Sequence, residues 1–203
     1  MALLAAGQAR RFGRTKQLLR FEGEALVTRA ARAALGSPAS LVVAVVGHDA
    51  PRVRTALEAL PADPRLRVVV NPDYARGQGG SLRRAAEAVR DQLAAAYVAV
   101  LLADMPRVTG AHVAAVWGAL VQTRRVGASR QAARAVHGPS GTPGHPVIFT
   151  PDALDALCRL PDGDDAPRTL LRTLDLLKVP CDDDGVIFDI DTPGDAGPDL
   201  MKR

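Results

Sequence analysis

YVAVLLADMP, Tyr97–Pro106, is the stretch that decides the fold. Its first seven residues are apolar without a break, and the run ends at Asp104 with Pro106 just beyond. A strand apolar on both sides is buried on both faces, the pattern of a parallel sheet covered by helices. LVVAVV, Leu41–Val46, reads the same way, and Leu66–Val70 and the stub Ala2–Leu4 add two more strands. Helical periods lie between them. Glu24–Leu35 places Leu26, Ala30 and Ala34 on one face and stops at Gly36 and Pro38. Arg52–Leu60 and Ser81–Leu93 are helical, and Thr109 caps a helix reaching about Gln122. Asn71–Gly80 is a loop by composition.

Beyond Thr123 the alternation loosens. Arg125–Gly138 reads as an antiparallel excursion, followed by the loop GPSGTPGHP and a strand Pro146–Thr150. Helices Asp152–Leu160 and Pro167–Leu174 flank PDGDDAPR, Pro161–Arg168, and LKVP and VIFDI supply closing strands. No repeat, linker or low-complexity tract divides the chain. The expectation is a single α/β domain over residues 1–203, a mainly parallel sheet with helices on both faces.

Composition excludes several classes. At 203 residues, 47% hydrophobic and 24% charged, the chain is neither disordered nor membrane-spanning, and no run of 18 apolar residues occurs. Cys158 and Cys181 lack a CxxC or His-spaced partner, as in ordinary residues of a reducing compartment, so a cytoplasmic location is expected. The net charge of +4 raises nucleic acid as a partner. The arginines are scattered along helices, however, and two Tyr, four Phe and one Trp are too few for base-stacking platforms. Distribution is more informative than the sum. Residues 1–21 carry five positive charges and no acid, whereas Asp182–Asp199 carries seven acids.

Ligands of open α/β sheets collect at the carboxyl ends of the strands. After the first strand comes LAAGQARRFGRTKQLL, Leu4–Leu19. It is neither a Walker A loop nor GxGxxG. Its small residues Ala5, Ala6 and Gly7 let backbone N–H groups approach an anion, and Arg11 and Lys16 offer long cationic arms. An Arg-rich, acid-free start also resembles a mitochondrial targeting segment, but Gly7 and Gly13 interrupt the helix such a segment needs. Asp104, at the end of a buried strand, is a candidate ligand for a hard cation or a turn-former before Pro106. By strand alternation Asp189 and Asp191 share a face, where they either converge on the same metal or cap a turn. Ser81 reads as a helix cap, and no Ser/His/Asp or Cys/His nucleophile is legible.

Taken in order, these segments resemble a known family. LAAGQARRFGRTKQLL is similar to the loop LAAGxSxRxGxxKxLL of the molybdenum-cofactor nucleotidyltransferases, the MobA-like NTP transferases. NPDYARGQGGSL resembles their NPxxxxGxxxSL, LLADMP their strand-end Asp-x-Pro, GHPVIF their GHPxxF and FDIDTPGDA their DIDTPxD. The resemblance implies a Rossmann-like, three-layer nucleotidyltransferase fold using Mg²⁺ and a nucleoside triphosphate. By position it implies that Gly7, Arg11 and Lys16 hold the triphosphate, that Leu4, Ala5, Ala6 and Asp104 also bind the nucleotide, that Arg11, Lys16 and Asp104 are catalytic, and that Asn71, Gly77 and Ser81 line the base and ribose side. It implies Asp104 as metal ligand, with Asp191 or Asp189 completing the site. Gly144, His145 and Pro146 would face a phosphorylated acceptor such as molybdopterin, with a molybdoenzyme as a further partner. LAAG is the cytidylyl form, LAGG more often the guanylyl one, so CTP is the expected donor. Guanylyl transfer, another phosphorylated acceptor, and a non-catalytic carrier of the same fold are the alternatives. The chain departs from the pattern at Ala9, Gly79 and Gly80, where relatives carry serine. Its first strand reads as only a stub, a frail support for a phosphate loop.

Overall fold

The first strand, β1 (Ala2–Ala5), lies at the centre of the molecule. The computed structural model describes residues 1–8, 13, 15–93, 95–192 and 195. In order, β1 is followed by a short hairpin, β2 (Arg20–Phe21) and β3 (Glu24–Ala25), and by helix α1 (Leu26–Leu35). Then come β4 (Val42–Val46), α2 (Ala50–Glu58), β5 (Leu66–Val70), α3 (Gln78–Arg90), β6 (Val98–Leu102) and α4 (Gly110–Arg125). The chain continues through β7 (Ala132–His137), β8 (Thr142–Phe149), α5 (Leu154–Cys158), α6 (Ala166–Thr173) and β9 (Leu176–Cys181).

The main sheet has seven strands in the order β5-β4-β1-β6-β8-β7-β9. β5, β4, β1 and β6 run parallel, β8 is antiparallel to both β6 and β7, and β9 is parallel to β7. Alternation along the strands sends side chains to two apolar layers. Leu3, Ala5, Val42, Ala44 and Val46 pack against α1, α2 and α4, while Leu4, Ala6, Val43 and Val45 pack against α3, α5 and α6. This is the expected three-layer α/β fold. β1 is not a frail support. Its four residues are buried and pair with β4 on one side and β6 on the other. Chain order turns back at β1, so a crevice opens above its carboxyl end.

Several boundaries differ from the sequence reading, each for a local reason. Glu22 and Gly23 take positive φ (51° and 81°), closing a tight hairpin turn that claims Glu24 and Ala25 before α1 begins. The segment 71–80 is not all loop: α3 starts at Gln78, and Ser81 is its fourth residue rather than its cap. The strand β8 reaches back to Thr142, so Gly144 and His145 lie in the sheet, not in a loop. Asp152–Leu160 is a 3-10 turn followed by the five residues of α5. VIFDI is not a strand: Val186 ends a 3-10 turn and the residues after it are irregular, so sheet alternation cannot orient Asp189 and Asp191. Thr109 does cap α4: its side chain accepts from the His112 amide, and His112 returns the bond.

Candidate active site

The roots of the first loop are tied before any ligand arrives. Gln17 Nε2 donates to the Gly7 carbonyl at 2.7 Å, and Thr15 Oγ1 donates to Asp49 Oδ2 at 2.6 Å. A 3-10 turn at Lys16–Leu18 then aims the Lys16 side chain across the crevice. Its Nζ lies 2.9 Å from Asp104 Oδ2 and 3.0 Å from Asp191 Oδ1. Residues from positions 16, 104 and 191 thus meet at one ammonium. Burial by itself would lower the Lys16 pKa, but the two carboxylates outweigh it and hold the group above its ordinary value.

Asp104 stands at the end of β6, and its carbonyl accepts from the Ile190 amide at 3.0 Å. That bond brings the acidic C-terminal segment to the strand end. Asp104 Oδ1 is buried without a hydrogen-bond partner among the described residues. An orphaned carboxylate oxygen beside a second carboxylate fits a hard cation, since Mg²⁺ takes one or two carboxylates and completes its shell with phosphate and water. No group of three or more His, Cys, Asp or Glu side chains able to hold a metal occurs among the described residues, so the pair is the candidate. Asp189 stands behind it. Burial, then repulsion from Asp191 and Asp104, pushes its carboxyl above the ordinary range.

Lys16, Asp104 and Asp191 line a cleft of about 670 Å³, whereas Asp189 does not line it. Of the residues expected from the sequence, Leu4, Ala6, Gly7 and Lys16 line it, as do Gly77, Ser81, Asp104 and Asp191. Ala5 faces the opposite layer of the core. Arg11 lies outside the described residues. Asn71 is fully buried and sits behind the wall: its Nδ2 donates to Ser81 Oγ at 3.0 Å, and its Oδ1 accepts from the Asp73 amide and Arg84 Nε. It orients Ser81 rather than lining the cleft.

Gly144, His145 and Pro146 do not line the cleft either. A Cβ at Gly144 would meet Val186 O at 2.2 Å, so glycine there permits close packing. His145 Nδ1 lies 3.3 Å from Val100 O, and burial lowers its pKa to about 4.

The sequence reading missed the other wall. Tyr74, Gln78, Asp164, Asp165 and Arg168 all line the cleft. The loop 161–165 lies directly on the N-terminus of α3. Gly79 N donates to Gly163 O at 2.9 Å and Gln78 N to Asp164 Oδ1 at 3.0 Å, while Arg83 clasps Asp162 and the Leu160 carbonyl. Gly77, at φ 110°, leaves no room for a side chain: a Cβ would approach the Gly163 backbone to 2.5 Å. At Gly79 it would meet Pro161 O at 2.2 Å. Gly79 and Gly80, where the sequence departs from the family pattern it resembles, therefore accommodate this loop. The signal available in the sequence was PDGDDAPR, whose acids and arginine between two helices marked a built loop.

Comparison with known proteins gives the family and the fold. The sequence matches the MobA-like NTP transferase domain over residues 1–179. The chain belongs to the MobA-like NTP transferase family. It is accordingly a nucleotidyltransferase with a nucleoside triphosphate as substrate. Rv0371c from Mycobacterium tuberculosis H37Rv has a similar structure, with 25% identity, TM-score 0.75, and coverage of 99% of this chain and 96% of that one. A second structure of that protein, a complex with manganese, has 25% identity and TM-score 0.71 over 96% of this chain and 93% of its own. A molybdopterin-guanine dinucleotide biosynthesis protein A from Archaeoglobus fulgidus shares the fold at 20% identity, TM-score 0.61, over 96% of this chain and 93% of that one. No curated protein matches the sequence significantly. This MobA-like chain has no described helix long and apolar enough to cross a membrane.

Proposed function

We propose that this NTP transferase moves a cytidylyl group from CTP to a phosphorylated acceptor of the molybdopterin type, releasing pyrophosphate. The observation carrying the reading is the meeting of Lys16, Asp104 and Asp191 beside Gly7 in the cleft. An acceptor phosphate oxygen attacks the α-phosphorus of the nucleotide, the α–β bridging P–O bond breaks, and pyrophosphate carries away the electron pair. No protein nucleophile takes part. The residues supply position and charge.

Lys16 exchanges its carboxylate partners for triphosphate oxygens, with Arg11 as a second cationic arm. Asp104 and Asp191 would hold Mg²⁺, which when bound neutralises charge developing on the phosphates. Asp189 is a third acid near them, its carboxyl held above the ordinary range first by burial and then by the charges of Asp191 and Asp104. Gln17 and Thr15 keep the loop in register, and Asn71 holds Ser81 against the ribose side.

Preference for CTP is supported by the LAAG form of the loop, whose Ala6 lines the cleft. The wall behind it is tight, since a Cβ on Gly47 would meet Tyr74 and Ala6 at 2.5–2.9 Å. The test is thermal stabilisation by CTP, GTP, ATP and UTP, each with and without Mg²⁺. A ligand at 100 times its dissociation constant adds about 2.7 kcal/mol of stability. Mg²⁺-dependent stabilisation by CTP above the other three is expected; a larger shift with GTP would reassign the donor.

A further inference from the structure

Three residues beyond Asp104, Arg107 lays its guanidinium over the ring of Phe188, itself three residues before Asp191. Arg107 Cζ stands 3.9 Å from the ring centroid, and its Nη1 donates to Asp184 Oδ2 at 3.5 Å. Gly185 seats against the same residue: a Cβ there would come within 2.9 Å of Arg107 Cβ and of its carbonyl oxygen. On its other side Phe188 meets Phe21 of β2 in a tilted pair, the centroids 6.1 Å apart. Arg29 of α1 stands over Phe21 in turn, Cζ 5.2 Å from the centroid. Its Nε donates to the Pro106 carbonyl at 2.6 Å, which returns the column to the strand end where it began. Ile190, fully buried, packs with Leu19, Phe21 and Leu26 in the same cluster.

None of the four stacked side chains lines the cleft. A guanidinium over an aromatic face is held by the ring quadrupole and by its own flat shape. Covering a small apolar cluster accounts for the two rings. It does not account for the route. The column joins the hairpin that follows Lys16, the strand end at Asp104 and the segment that leads to Asp191. Asp191 needs such an anchor, because its side chain is 56% exposed and it stands outside the sheet. When Lys16 turns to the triphosphate, the ammonium that bridges Asp191 to Asp104 is withdrawn, and the column still holds the two segments together. We propose that Arg107, acting through Phe188, is a positioning residue that keeps Asp191 beside Asp104 for the divalent cation. The assignment rests on the transfer reading, in which these two acids take the metal.

Mn²⁺ titration of the intact protein, followed by electron paramagnetic resonance, tests this without turnover. Arg107→Ala should weaken Mn²⁺ binding about tenfold, the scale on which groups behind a metal ligand act. Phe188→Leu should weaken it as well, and Arg107→Lys, which keeps a cation over the ring, should recover part of the loss. The direction is diagnostic. Removing a positive charge near a cation site would by charge alone tighten Mn²⁺, so a loss reports position. In an Asp191→Asn background Arg107→Ala should add less than about twofold, because its effect passes through Asp191. The Arg107 side chain is 43% exposed, so its variants fold regardless of the fate of Phe188→Leu. Unaltered or tighter Mn²⁺ binding in Arg107→Ala overturns the positioning role, as do equal losses in the two backgrounds. Unaltered Mn²⁺ affinity in Asp191→Asn, or no Mn²⁺ binding by the unsubstituted protein, overturns the metal assignment of the transfer reading itself. That result is distinct from a failure of Arg107 alone.

Discussion

Lys16 and Asp104 show how few side chains the proposed chemistry needs. The Lys16 side chain is 11% exposed and Asp104 31%, so their attraction is screened less than that of a surface pair. Asp104→Ala should lower turnover by ~10²-fold or more, the scale of removing one preorganised electrostatic stabiliser. Steady-state rates of the folded variant at saturating Mg²⁺ decide it; near-normal turnover would remove Asp104 from the machinery. His145 makes a different prediction. Its folded pKa, about 4, lies below its ordinary value of 6.5, so the unfolded chain binds the extra proton first. Stability from this group is therefore complete above pH 6.5 and is lost as pH falls toward 4, by up to ~3 kcal/mol. His145→Gln should lose less stability than the unsubstituted protein between pH 6.5 and 4.5 in denaturant titrations. Parallel losses would show that the ring does not carry the effect.

At the scale of elements, the contact between α3 and the loop 161–165 shapes the cleft. Restoring the serines of relatives separates two kinds of crowding. At Gly79 a new Cβ meets the backbone oxygen of Pro161, which cannot yield alone, whereas at Gly80 it meets the side chain of Asp162, which can turn away. Gly79→Ser should therefore cost about 1–3 kcal/mol, and Gly80→Ser under ~1 kcal/mol. Chemical denaturation of the two variants checks the order, and equal costs would mean that the loop does not seat as described. The same contact explains what was legible beforehand. Turn-rich composition marked 71–80 as a loop, but a helix starting with Gln78 and two glycines has no cap residue to announce it. VIFDI looked like a strand because it is apolar and β-branched. No neighbouring strand pairs with it, and the bond from Ile190 N to Asp104 O ties it to a strand end instead.

For the whole molecule, strand order sets where stability is concentrated. β1, β4 and β6 are paired on both edges and covered by both helical layers, while β9 forms one edge of the sheet. Amides of β1 and β4 should be among the last to exchange with solvent, and those of β9 among the earlier strand amides. Hydrogen exchange measured by strand checks this, and early exchange in β1 would contradict its place as the support of the loop. Two central parallel strands thus anchor the groups that must stay in place.

The sequence by itself determined the α/β class, the buried strands and the family, because continuous apolar runs and ordered motifs are local properties that survive without coordinates. It also marked Lys16, Asp104 and Asp191 as candidates through their motifs. Their convergence on one ammonium was decided by the tertiary structure, since it depends on a turn after β1, the end of β6 and a C-terminal segment held by a backbone bond. The same is true of the wall formed by 161–168. Contacts between residues tens of positions apart leave no periodic trace in the chain; they follow from strand order and register.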